Sequence, residues 1–165
     1  MIGPMRKKNH NMKIFEADLY DELFDYLIAM SRDWEAENST HGYRKNERED
    51  IEGNRIFLAV EDDRILAYLF GREEKAERTN SIMQEGTTFF EVEELYVIPA
   101  CRSKGIGRAL FSYAEQSVKE AGISFIMLST ASKNFKSILH FYIDELGMEF
   151  WSARLFKRVG EENFL

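Results

Sequence analysis

The most constraining stretch of this sequence runs from Thr87 to Phe111, where a β-rich run breaks into a glycine turn and re-forms as a helix. Phe89 to Ile98 is dominated by aromatic and β-branched residues and stops at Pro99, which predicts a strand with its terminator. Ile106, Leu110, Tyr113, Ala114, Val118 and Ala121 then recur at helical intervals, and Gly122 closes the run as a C-cap.

A strand, a glycine turn and a helix start together make a place to hold an anion. The first amides of a helix have no partner inside it, and the aligned peptide dipoles add positive potential at that end. Gly105 and Gly107 withhold the Cβ atoms that would keep a diphosphate off the backbone, and Arg102, Lys104 and Arg108 add cations around the same turn. Two familiar phosphate loops do not fit. Nothing matches G-x-x-x-x-G-K-[ST], and the dinucleotide fingerprint lacks its third glycine, because Leu110 stands there.

What does fit is R-x-x-G-x-G, here Arg102-Ser103-Lys104-Gly105-Ile106-Gly107, preceded by E-E-L-Y-V-I-P. This resembles the diphosphate-binding signature of the GNAT superfamily, the acetyl-CoA-dependent N-acetyltransferases. The resemblance implies a mixed α/β fold, with a central sheet flanked by helices, and acetyl-CoA as cosubstrate without a metal. Arg102, Ser103, Lys104, Gly105, Ile106, Gly107 and Arg108 would grip the diphosphate.

The rest of the chain is consistent with that fold. Lys13–Ala17 reads as a first strand, and Asp18 as the N-cap of a helix to about Trp34, with Asp21 in capping-box position. Glu35 to Asn54 is polar and reads as a helix fragment or a loop, Tyr43 being its lone large apolar group. Arg55–Glu61 and Arg64–Arg72, joined by Asp62 and Asp63, form a hairpin. Glu73–Gly86 reads as a loop, Ile123–Ser129 as a buried strand, Asn134–Leu146 as a helix and Phe150–Val159 as a last strand. Residues 1–12 read as a flexible extension and 13–165 as a single domain.

Composition narrows the partners. The net charge is −7, which weighs against a nucleic-acid binder and leans towards a cationic acceptor. The lone cysteine, Cys101, allows no internal disulfide, and the histidines lack metal-ligand spacing. Without a signal peptide or a membrane-length apolar run, the expected location is the cytoplasm.

Making an amide from a thioester needs a base for the ammonium, a donor for the oxyanion and a proton for the departing thiolate. Strand alternation puts Glu91, Glu93, Leu95 and Val97 on one face and Val92, Glu94 and Tyr96 on the other. The resemblance implies Glu93 as base, with Glu94 next, since a bulge would reverse the faces. It also implies that the backbone of Leu95, Tyr96 and Val97 pairs with the pantetheine arm like an added strand. It assigns Tyr142 as the acid and Asn134 to a contact with coenzyme A. A phenol near pKa ~10 protonates a thiolate of ~8.5 only uphill, so proximity has to help. Asn134 and Gly147 each stand one residue too far from Tyr142, and Met148 replaces an aromatic. A local irregularity around Tyr142 would reconcile all three departures. The reaction expected is acetyl transfer to a primary amine, a small cationic one slightly favoured over a protein, by direct attack. The alternatives are a non-catalytic acyl-CoA sensor and a nucleotide-phosphate binder. A homodimer is compatible with the resemblance.

Overall fold

The computed structural model describes residues 11–160. Five strands, β1 (Lys13–Ala17), β2 (Arg55–Glu61), β3 (Arg64–Lys75), β4 (Thr88–Val97) and β5 (Ile126–Leu128), form one sheet in the order β1-β2-β3-β4-β5. The first four are antiparallel, and β5 joins β4 in parallel. Asp62 and Asp63 both take positive φ, the mirror-image turn whose twist suits a two-residue hairpin, and this fixes Glu61 opposite Arg64.

Alternation along β2 and β3 sorts the apolar side chains into two cores. Ile56, Leu58, Tyr68 and Phe70 face α1 (Asp21–Glu37) and α2 (Arg48–Ile51), where Leu23, Phe24, Leu27, Met30 and Ile51 close over them. Phe57, Ala59, Ala67 and Leu69 face α3 (Ile106–Glu120), which buries Ile106, Leu110, Ala114 and Val118 as predicted, with Phe111 beside them, whereas Tyr113 and Ala121, read on the same face, are exposed. The sheet is thus covered on both sides, as the mixed α/β reading expects.

Several expectations are corrected. The first helix begins at Asp21, with extended Tyr20 as N-cap and no side-chain cap, so Asp18 does not cap it; Asp21 and Glu22 instead complement the dipole from the first turn. The strand predicted at Ile123–Ser129 shrinks to Ile126–Leu128 and is only half-buried, since β5 lies at the sheet edge. No strand forms at residues 150–159. β-propensity makes a strand only where an edge accepts it, and here Trp151 donates Nε1–H to Ser81 Oγ while Phe156 meets His41 edge-on. Of the predicted extension, residues 1–10 lie outside the described residues, and Met12 packs against the α3-side core.

The irregularity expected around Tyr142 takes a definite form. α4 (Phe135–Leu139) widens into a π-helical turn over His140–Glu145. Leu146 N–H reaches the carbonyl of Phe141 five residues back, and Met148 N–H reaches that of Tyr142. A π-turn takes up an extra residue without breaking the helix, which is what the stretched spacing on both sides of Tyr142 required.

Candidate active site

Two features of β4 build the site. The first is a bulge opposite Gly71: Phe70 pairs with Glu94 and Gly71 with Val92, leaving Glu93 unpaired. A Cβ on Gly71 would lie 2.2 Å from the Glu91 carbonyl oxygen, so the close approach of β3 to β4 needs glycine. The bulge resets the alternation. Phe90 and Val92 point to the α3-side core, and beyond the bulge Leu95 and Val97 do as well. The strict alternation read from the sequence therefore fails at Glu93, and Glu93 and Glu94 line one cleft.

The second feature is the parting of β4 and β5. Their pairing runs only from Phe90–Ile126 to Val92–Leu128, whereas β4 continues to Val97. Leu95, Tyr96 and Val97, the residues expected to meet the pantetheine arm, lie beyond the point of separation.

The cleft, about 240 Å³, is lined by Asn46, Glu49, Asp50, Phe70, Arg72, Glu93 and Glu94. Glu94 sits deep. Its Oε2 accepts from Tyr68 Oη at 2.8 Å and Asn46 Nδ2 at 3.0 Å, and its Oε1 from Tyr43 Oη at 3.1 Å. Burial raises its pKa, and the three donors hold back part of that rise. The same burial, with the Glu94 charge beside them, raises the Tyr43 and Tyr68 phenols. Glu93 is exposed and meets Arg72 at 3.4 Å. Glu91 is also raised, first by burial and then by the Glu93 and Glu74 charges. Of the two candidate bases, Glu94 is the deeper and is held by three donors, whereas Glu93 lies at the exposed rim.

Sequence reasoning missed Glu94's donors. Tyr43 was visible as an isolated aromatic in a polar stretch, but no spacing links it, Asn46 or Tyr68 to Glu94. The connector between α1 and α2 brings Tyr43 and Asn46 there, pinned by Asn46 N–H donating to the buried hydroxyl of Ser31 on α1, while Tyr68 arrives on β3 beside the bulge.

Downstream of β4, Pro99–Cys101 form a short 3-10 turn and the chain enters α3 through Gly105, at φ +80° and without a side-chain cap on the helix. The first amides of α3 therefore meet no capping side chain, and Lys104 and Arg108 flank them exposed, which fits a diphosphate. The two glycines serve different ends. Gly105 supplies its dihedral, whereas a Cβ on Gly107 would come 3.4 Å from both Val97 Cγ2 and Phe141 Cζ. Gly107 thus lies within van der Waals reach of β4 and the π-turn. Ser103 takes φ +59° in the same turn. Ile106 is buried in the core, so only its backbone faces the turn.

Arg102 is engaged elsewhere than expected. Its Nη atoms donate to both carboxylate oxygens of Glu37 at 2.9 and 3.0 Å, and its Nε donates to the Val97 carbonyl at 2.9 Å. Tyr142 packs edge-on against Phe111 and Phe141, and burial pushes its phenol up to about 12. Asn134 is exposed at the start of α4.

With this geometry the comparisons fall into place. The sequence matches the acetyltransferase (GNAT) family across residues 17–148. This chain belongs to that family. GNAT chemistry is acetyl transfer from acetyl-CoA. An uncharacterised N-acetyltransferase, YhdJ, of Bacillus subtilis (strain 168) is 36% identical over 56 residues, 34% of this chain and 39% of that protein. Among solved structures, a predicted acetyltransferase of Clostridium acetobutylicum with acetyl-CoA superposes with a TM-score of 0.64 at 16% identity, covering 93% of this chain and 100% of that one. An aminoglycoside acetyltransferase from an uncultured soil metagenomic sample gives 0.66 at 17% identity, covering 91% and 99%. A transcriptional regulator from Bacillus halodurans C-125 gives 0.66 at 20%, covering 90% and 99%. At these identities the superpositions show the GNAT fold. Among the described residues no His, Cys, Asp and Glu group is arranged to hold a metal ion, and no helix is long and apolar enough to cross a membrane.

Proposed function

We propose that this GNAT protein transfers the acetyl group of acetyl-CoA to a small cationic primary amine by direct attack. One observation carries the reading: an acidic cleft containing a half-buried carboxylate held by three donors opens beside the stretch of β4 that leads into the α3 turn. Acetyl-CoA supplies the activated thioester; this chain's residues bind, orient and move protons. Glu49, Asp50, Glu93 and Glu94 against Arg72 favour a positively charged acceptor at the cleft mouth. Glu94, raised by burial, takes the ammonium proton directly or through one water. The amides of Leu95, Tyr96 and Val97 beyond the strand separation align the acyl arm, and the α3 turn with Lys104 and Arg108 holds the diphosphate. Tyr142 returns a proton to the departing thiolate. From about 12 to ~8.5 that transfer is uphill by about 5 kcal/mol, so it proceeds only with the phenol held against the sulfur.

The test is an amine panel with acetyl-CoA, monitored for free thiol and for the product mass. Thiol release with polyamines or aminosugars, and none with neutral amines, supports the reading. A second reading, an acyl-CoA sensor without turnover, is favoured by one fact: Glu94 already accepts three hydrogen bonds. Tight coenzyme A binding with no thiol released across the panel from pH 6 to 9 would select it.

A further inference from the structure

Among the described residues, Arg72 is the one cation that lines the cleft, and its charge is shared thinly. Alternation along β3 places Phe70, Arg72 and Glu74 on one face, and the ladder sets Glu91 directly opposite Arg72. The bulge adds Glu93 on the same side. Glu74, Glu91 and Glu93 therefore share a single guanidinium. Its Nε meets Glu74 Oε1 at 2.8 Å, whereas Nη2 reaches Glu93 Oε1 only at 3.4 Å, a long and weak contact. Burial first, and then the Glu93 and Glu74 charges, raise Glu91, so the group carries more negative charge than Arg72 offsets.

The α2 side of the cleft does not supply the missing charge. Asp50 is already taken: both Nη groups of Arg44 donate to it, at 2.8 and 2.9 Å, and Glu47 N–H donates to it at 2.8 Å. Glu49 meets no cation within ion-pair distance among the described residues. Glu94 is held by two phenols and an amide, none of them charged. A monocation seated at Glu94 thus leaves the rim at Glu49 and Glu93 unanswered. A carboxylate on the acceptor would gain part of Arg72 but face Glu49, Glu93 and Glu94 together. Only a second positive charge improves the balance. It also meets little resistance, because an exposed ion pair contributes little, and Arg72 leaves Glu93 while keeping its shorter contact with Glu74.

We propose that Arg72 is the specificity-determining residue of this cleft, an internal counterion whose place on Glu93 is taken by the second cation of a diamine acceptor. This rests on the amine-acetylation reading above and names the acceptor class within it. One ammonium is presented at Glu94 and acetylated, while the other, at the far end of the molecule, displaces Arg72 towards Glu74. An acceptor ending in a carboxylate is refused.

The experiment uses the full chain and matched straight-chain primary amines of several lengths, whose far end is an ammonium, a methyl group or a carboxylate. Thiol release gives kcat/KM for each. The readout is the ratio of diamine to monoamine at the best length, in which general losses of activity cancel. Wild type prefers the diamine and rejects the carboxylate-ended amine. Arg72→Gln raises the ratio about fivefold, the scale of one exposed ion pair. Arg72→Lys keeps it within about twofold of wild type, and Glu93→Gln lowers it about fivefold. Calorimetric affinities of the same amines, measured with coenzyme A present, give the ratio again without turnover. A ratio that Arg72→Gln leaves unchanged or lowers overturns the counterion role. So does a carboxylate-ended amine that wild type prefers and Arg72→Gln loses, which would make Arg72 an anchor for an acceptor carboxylate. Absence of thiol release with every amine overturns the transfer reading instead, and the calorimetric ratio then decides Arg72 by itself.

Discussion

Tyr68→Phe isolates one hydroxyl beneath the cleft. Tyr68 is fully buried on β3 and gives Glu94 its shortest hydrogen bond, 2.8 Å. Removing the donor leaves the ring packing intact and takes away one of three partners of a desolvated carboxylate. A hydrogen bond to a charged group contributes about 1.5–3 kcal/mol. At 1.36 kcal/mol per pKa unit, Glu94 then rises a further ~1–2 units. The sign follows from linkage. Glu94 is already above its ordinary value of 4.5, so the folded chain keeps this proton to higher pH than the unfolded chain, and stability declines as pH climbs through that window. The variant widens the window. Its deficit against wild type is complete above the folded-state pKa, about 2 kcal/mol, and vanishes below about pH 4. Urea titrations at pH 4 and pH 8 measure it directly. If Glu94 is the base, the acid limb of kcat/KM in the thiol-release assay moves up by the same ~1–2 units. A stability loss equal at both pH values would refute the assignment of the hydroxyl to an ionised Glu94. An unmoved limb would refute Glu94 as base.

Three further outcomes are expected. Gly71→Ala forces a Cβ against the Glu91 carbonyl at 2.2 Å; a loss of about 1–3 kcal/mol by urea titration, with activity falling as Glu93 and Glu94 shift, is expected. Gly105→Ala meets no atom within 4 Å but must hold φ +80°, so the unfolding free energy should fall by about 1–2 kcal/mol, read as a lower urea midpoint with m unchanged. Tyr142→Phe should slow kcat by about 10²-fold or more while calorimetric affinity for coenzyme A stays near wild type; full activity in that variant would remove the phenol from the mechanism.

The strand–turn–helix unit was legible because its signals are local. Strand composition, Pro99, Gly105 and the spacing from Ile106 to Val118 each act within a few residues, and the structure returns β4 and α3 nearly as read. The spacing around Tyr142 likewise announced a local irregularity, though not its form as a π-turn. The Glu94 cradle was not legible, because Tyr43, Asn46 and Tyr68 reach it across 51, 48 and 26 positions of sequence. The bulge was foreseen only as an alternative, since its cause is one glycine on the neighbouring strand. Residues 150–159 misled because aromatic and β-branched content describes what a strand favours and not whether it pairs, and this segment makes no ladder with the sheet. The Arg102–Glu37 pair was not legible either, because its partners lie 65 positions apart on different elements.

The sheet carries a separate apolar core on each face, one closed by α3 and the other by α1 and α2. Substitutions far apart and without shared partners combine almost independently. Under the proposed function, drift in the α1–α2 layer retunes the acceptor cleft while the α3 turn is inherited unchanged, with Glu37 and Arg102, which bridge the two, as the pair that must change together. Such a partition gives lineages with this scaffold freedom to diversify their substrates without relearning how to hold their acyl donor.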